Sequence, residues 1–487
     1  MNSAYDDSKL VEGSWQECWG VKFKWTSQHL TPQQLHPLIY SYDKVATEAV
    51  ERLDDMMASQ PTNSPSEDEN LDEAANPNPK KKKNLQWHLY ELVQEHASKD
   101  ERIGKLWTEV NTVPEWVDWD QIERGQKIFF RYGGAAISTL TYLSLLGGMG
   151  GARTVETLGR TGGFDVKVVR RRLLETVQHT LNVHRDLKSI QPGGDGFVNS
   201  VSPNPSHNTT RVRLLHAAVR RRITQIAAAQ PSYYDTASYG VPINDLDSMG
   251  TISVFSAAPI WLGLPRQGIR LREQEISDYL ALWRYVAYVM GAPHAWLATP
   301  ESAKSTMESL AVSEIRPSAA SADLANNIIT GLAGQPPTYA SRGFMCAQAH
   351  WLNGRALAEK LEIDPPSLYY SSLVLGQCIF FMTMAYVNRT FSWLDERNIN
   401  VVRKIFYTVL LEDKSKGALG YESKFLFKYL PEFGKMSTER GVATARAGVT
   451  KPGIERTALL SLITFSVVAG VCVWYSYKVF NAILGTR

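Results

Sequence analysis

Outside a handful of loops, apolar residues in this chain recur three and four positions apart almost everywhere. Trp116 to Tyr132, Phe164 to Lys188, Arg211 to Ala229 and Glu273 to Gly291 all carry this spacing. It gathers the apolar side chains on one face of an α-helix. Alternating β-branched runs, the mark of half-buried strands, are few. Pro293, Pro300, Pro317, Pro365 and Pro366 mark breaks between the later helices. The expected fold is all-α. With 487 residues, 44% hydrophobic and 21% charged, the chain can fill a sizeable core without disulfides. No internal repeat is evident.

Charge and cysteine usage narrow the partners. The formal net charge is +3, so no broad basic face for nucleic acid is expected. Cys18, Cys346, Cys378 and Cys472 are scattered and form no C-x-x-C pair. That argues against a zinc site and a disulfide framework, and suits a reducing compartment. Met1 to Lys9 is polar and leads into no apolar stretch, so no signal peptide is expected.

Thr457 to Tyr477 contains no charged residue and is rich in Leu, Val, Ile, Phe and Ala. At about 1.5 Å per residue it can cross a hydrocarbon layer of about 30 Å. Trp474, Tyr475 and Tyr477 sit at its far end, where interfacial aromatics belong. Arg440, Arg446, Lys451 and Arg456 precede it, and Lys478 and Arg487 follow. The basic excess on the N-terminal side predicts a C-terminal anchor with the main body cytosolic. A buried core helix is the alternative. Tyr132 to Ala152 and Leu368 to Val387 are also uncharged, but the first is broken by glycines and the second contains Gln377 and several hydroxyls. Both are expected to be buried helices of the α-domain.

Gln60 to Lys83 is a low-complexity run passing from an acidic patch to Lys80–Lys83, and is expected to be a solvated loop. Pro192-Gly193-Gly194-Asp195-Gly196 opens a second loop that continues to about Ser206. H-E-x-x-H, G-x-S-x-G and G-x-x-x-x-G-K-[ST] are all absent. Gly147 to Gly151 lacks the Lys and hydroxyl of a phosphate loop and reads as a tight interhelical connection. Asn208-Thr209-Thr210 and Asn388-Arg389-Thr390 match the glycosylation sequon, which is common by chance and irrelevant to a cytosolic body.

In Arg211 to Arg222, Val212, Leu215, His216 and Val219 share one helical stripe with Ile223 and Ile226, while Arg213, Arg220 and Arg221 lie largely off it. His216 is therefore aimed into the core. A buried imidazole is either a hydrogen-bonded core residue or a ligand to a metal or haem iron. Periodicity alone favours the first, because satisfied buried polar groups are the rule. On an earlier helix Arg172 and Thr176 are four apart, with His179 one turn on. They form either a solvated face or a polar wall over an apolar pocket. Glu156 is either a first-turn helix residue or a carboxylate placed for proton transfer.

Four stretches, in this order and spacing, resemble the rubber oxygenase (latex clearing protein) family, which includes a fungal membrane-bound oxygenase that shortens a farnesyl chain. They are R-R-L-L-E-T at Arg171–Thr176, R-V-R-L-L-H-A-A-V-R at Arg211–Arg220, G-V-P-I-N-D-L-D at Gly240–Asp247 and D-Y-L-A-L-W-R-Y-V-A-Y-V-M-G at Asp278–Gly291. The resemblance implies an all-α fold with a globin-like core and extra helices. It implies haem b with His216 as the axial ligand to iron, O2 as co-substrate, and cleavage of isoprenoid double bonds to carbonyl products. Arg172 and Thr176 match a distal R-x-x-K-T motif in which Glu175 here replaces the lysine. Glu156 falls at the spacing of an upstream acid proposed as a base.

The expected organisation is an N-terminal extension over 1–109, an oxygenase-like catalytic domain over 110–435, a linker over 436–456, a transmembrane helix over 457–477 and a short tail over 478–487. The expected partners are a lipophilic substrate and a membrane, most naturally that of the endoplasmic reticulum, with no nucleic acid and no obligate protein partner. Two further readings stay open: a haem-binding sensor or carrier without turnover, and a haem-free member that keeps only the fold.

Overall fold

The computed structural model describes residues 10–58, 89–192, 209–419, 436–442 and 453–484. Met1 to Lys9, the low-complexity run 60–83, most of the loop 192–206, Asn208, much of the 436–456 linker and Arg487 lie outside the described residues. Among the described residues, α-helices of eight or more residues are numbered in chain order. They are α1 (Lys44–Ala58), α2 (Leu89–His96), α3 (Glu101–Asn111), α4 (Trp119–Arg131), α5 (Ala152–Thr161), α6 (Val169–Val183), α7 (Thr209–Ala229) and α8 (Asp245–Phe255). There follow α9 (Glu273–Val289), α10 (Pro300–Glu314), α11 (Ala319–Leu332), α12 (Arg342–Asn353), α13 (Leu368–Asn388), α14 (Ser392–Phe406) and α15 (Ile454–Leu484). The described strands are a small antiparallel hairpin, β1 (Trp15–Cys18) with β2 (Val21–Lys24). The fold is all-α with this one hairpin added.

Helix ends follow local chemistry. Asp118 caps α4 by accepting from the Asp120 and Gln121 amides, and Asp100 caps α3 in the same way. Pro300 sits at the first turn of α10 behind the Thr299 cap. Ser318, directly after Pro317, caps α11, and Ser367, directly after Pro365 and Pro366, caps α13. The prolines expected to break helices therefore do so, because each lacks the amide that would continue the ladder.

One main core runs through the molecule. Val50 and Leu53 of α1, Ile103 and Leu106 of α3 and Leu214 and Ala217 of α7 share it with Leu282 and Val286 of α9. Residues assigned from sequence to an extension thus contribute α1–α3 to the same core. This changes the surroundings of α7. Arg213 and Arg220 lie off its apolar stripe, as expected, yet both are buried, because α1 and α3 cover that side. Arg213 meets Asp43 through Nε at 2.7 Å and Nη2 at 2.9 Å, and Glu109 at 2.7 Å. Gly291, with φ +67°, leaves room for this guanidinium; a Cβ there would lie 2.6 Å from Arg213 Nε. Arg220 donates to the Pro242 and Ile243 carbonyls and to Thr47.

Tyr132 to Ala152 is interior, as expected, but is not one regular helix. It runs as a short α-helix, a π-helical stretch over Thr139–Leu146 and a 3-10 turn over Gly147–Gly150. Leu368 to Val387 departs from expectation. α13 buries only one side, and Leu375, Phe380, Met384 and Val387 are exposed on the other. Hydropathy reports what a helix is made of, not whether another element covers it. α13 and the stretch Ile454–Asn481 are the two described helices long and apolar enough to cross a membrane. Cys18, Cys346 and Cys378 are buried and unpaired, and Cys472 is exposed.

Candidate active site

α7 buries Val212, Val219, Ile223 and Ile226, as its spacing predicts. His216 shares that stripe and lies deep in the protein. Desolvation, reinforced by the nearby Arg220 and Arg172 guanidiniums, pushes its imidazole down to about 3, so it is neutral at physiological pH. It nevertheless keeps intermediate exposure and makes no hydrogen bond among the described residues. Its imidazole is thus desolvated without being fully enclosed.

α6 provides the facing groups. Arg172 Nη1 donates to Thr176 Oγ1 at 3.1 Å, and that hydroxyl donates to the Arg172 carbonyl at 3.2 Å. One turn on, Thr180 Oγ1 donates to the Thr176 carbonyl at 3.0 Å. His179 is also desolvated, its imidazole pushed down to about 4. Both Arg172 and His179 act electrostatically on His216, so the three face a common region. α6 and α7 do not pack together along their lengths. Arg172 and His179 on α6 are thus within electrostatic reach of His216 on α7.

The two acids singled out from sequence are both engaged in ion pairs. Glu175 is fully buried and accepts from Arg171 Nε at 3.1 Å. Glu156 lies in the second turn of α5, not the first, and accepts from Arg160 Nη1 at 2.6 Å. Arg160 in turn donates to the Tyr233 carbonyl at 2.7 Å and stacks over the Tyr233 and Tyr234 rings. Glu156 and Asp247 both act on Tyr234. Asp247, within the Gly240–Asp247 stretch, is buried on α8; desolvation raises its carboxyl to about 6 against a 2.9 Å hydrogen bond from Thr154.

Beyond Thr180 lies an apolar cavity walled by Phe129, Leu140, Phe255, Leu264, Tyr279 and Trp283. Arg172, Thr176, His179 and His216 do not line it; Thr180 is the link between their helix row and its wall. His184, one turn further, is fully buried among Phe129, Tyr279 and Trp283. Its Nδ1 donates to the Thr180 carbonyl at 2.7 Å, burial pushes it down to about 4, and its Nε2 has no partner among the described residues. His184, Thr180, Arg160 and Asp247 were not singled out from sequence. Tyr279, Trp283 and Asp247 do lie in the resembling stretches, which was the available signal.

The Asn388 sequon is buried at the end of α13, so it presents no side chain for glycosylation.

The sequence profile described as ER-bound oxygenase mpaB/B′/rubber oxygenase, catalytic domain, matches residues 130–374. The match contains Glu156, Arg172, Thr176 and His216. A solved structure of latex clearing protein in its closed state is similar in fold, with a TM-score of 0.51 and 15% identity over 80% of this chain and 96% of that one. No curated protein matches significantly in sequence. With the profile spanning half of its length, and the all-α arrangement around α6 and α7 in place, the chain belongs to the mpaB/rubber oxygenase family.

Proposed function

We propose that this chain is a membrane-anchored, haem-dependent oxygenase that cleaves a double bond of an isoprenoid or other lipophilic substrate with O2, giving two carbonyl products. One observation carries the reading. His216 is a desolvated, neutral imidazole with no hydrogen bond among the described residues, within electrostatic reach of Arg172 and His179 on α6. The core histidine His184, by contrast, engages the Thr180 carbonyl through Nδ1. A neutral imidazole with a ring nitrogen that the described residues leave unengaged is what an iron ligand requires. The residues fit haem b, whose iron His216 would hold. When bound, the haem supplies the activation of O2.

The chain's own groups then orient and exclude. Arg172, held by Thr176, would place a fixed cation and a hydroxyl within reach of His216, where they would stabilise developing negative charge. The apolar lining beyond Thr180 has the chemistry to receive a prenyl chain, for which the small cavity would have to open. Glu156 would take an allylic proton on exchanging its Arg160 partner. α15 would anchor the protein, with the body cytosolic and the endoplasmic reticulum as the membrane.

The first experiment is an absorption spectrum of detergent-purified full-length protein after haem supplementation. A Soret band that His216→Ala abolishes is expected; its absence in the parent protein refutes the cofactor. Prenyl-substrate turnover by product analysis then tests the chemistry. The Glu156–Arg160 ion pair favours one second reading, haem binding without turnover, which predicts the Soret band but no cleavage product.

A further inference from the structure

α13 is uncharged along its whole length, yet one side is open. Leu368, Leu375, Phe380, Met384 and Val387 are exposed there, with Ser372 and Thr383 between them. The surface continues into α14 through Phe391, Trp393, Val401 and Ile405, flanked by exposed Arg397 and Lys404. An apolar surface of this kind marks an interaction site, since leaving these side chains in water forgoes the free energy of burying them.

Its neighbour identifies the occupant. α15 crosses the same side of α13 at Gly376, where a Cβ would lie 2.9 Å from Leu462 Cβ and collide with the Ala458 carbonyl. Ala458 is buried there, while the rest of the α15 surface is almost entirely exposed and apolar. Apolar residues of α13 flank the crossing on both sides, so the medium around α15 also bathes α13. Glu455 of α15 accepts from the Ser341 amide of the body, which holds the helix in this position. The mixed edge of α14, with one tryptophan among arginine and lysine, has the chemistry of a headgroup interface.

We propose that the outer face of α13 and the apolar edge of α14 sit in the lipid bilayer beside α15, so that the body is embedded and not merely tethered. This rests on the reading of α15 as the anchor. It also gives the cavity a neighbour. Phe381 and Met382, on the inner part of α13, pack at Gly134 and Gly268, beside cavity-lining Ala136 and Leu271. The thickness of one helix separates lipid from cavity.

The test uses the full chain in phosphatidylcholine nanodiscs, with an NBD fluorophore at a single site and doxyl-labelled phosphatidylcholine as quencher. The sites are native Cys472 on α15, Thr383→Cys and Ser232→Cys, the last two combined with Cys472→Ser. The expected result is blue-shifted emission and a loss of fluorescence at Thr383→Cys comparable to that at Cys472, with none at Ser232→Cys. Quenching at Cys472 but not at Thr383→Cys overturns the proposal, whether water or a second protein covers the face. Lack of quenching at Cys472 as well refutes the anchor itself, and this proposal with it.

Discussion

The two sides of α7 are treated differently. On the side turned to the N-terminal helices, Arg213 is buried but its guanidinium is matched by Asp43, Glu109 and the Val289 carbonyl. Arg220, nearby, is matched by backbone carbonyls and Thr47. On the other side His216 is as deep and has no hydrogen bond among the described residues. Buried polar groups cost free energy unless paired, so the paired side reads as scaffold. An unpaired imidazole in the same helix reads as a group kept available for something the polypeptide does not supply.

The comparison can be broken most forcefully at Arg213. Replacing it by Met leaves the nearly buried Asp43 carboxylate without its cation, and should cost about 3–5 kcal/mol. Chemical denaturation in detergent reads this out; a loss below about 1 kcal/mol would mean the network is not structural.

Acid is the next lever. His184 is held neutral, at about 4 in the fold against about 6.5 unfolded. Between those values the unfolded chain binds a proton that the folded one refuses, so stability falls as pH drops from 6.5 to 4, by on the order of 3 kcal/mol. His179 and His216 act in the same direction, while Asp247, raised to about 6, acts oppositely because the fold binds its proton first. His184→Phe should flatten the fall of unfolding midpoint across that window; an unchanged slope would refute the assignment.

Two smaller effects sharpen the contrast. Glu156→Gln removes the charge facing Arg160, a partly exposed pair, and should cost about 1 kcal/mol, measured by the same denaturation. His216→Ala, on the unpaired side, should change the stability of the haem-free protein by less than about 1 kcal/mol. A cost there as large as at Arg213 would make His216 a scaffold residue.

Much of this was legible in the sequence for a local reason. The register of α7, the caps at Asp118 and Ser318 and the breaks at Pro300 and Pro317 depend on residues within a turn of one another. The family likeness lay in short stretches, and the position of His216 on an inward stripe followed from periodicity. The pairing of Glu156 with Arg160 is also local, four residues apart, and could have been read as an ion pair. The enclosure of Arg213 and Arg220 could not, because their partners are 22 to 177 residues away along the chain. The burial of His184 among three aromatics from α4 and α9 is likewise a product of packing.

Sequence alone determined that this chain is helical, where its helices stop, and that one histidine turns inward; these depend on spacing and local capping. Tertiary structure decided which buried groups are satisfied. Arg213 and His216 are three residues apart on one helix, and nothing local distinguishes a paired buried group from an unpaired one. Only what folds over each side makes that difference: Asp43 and Glu109 meet Arg213, and no hydrogen-bond partner among the described residues meets His216.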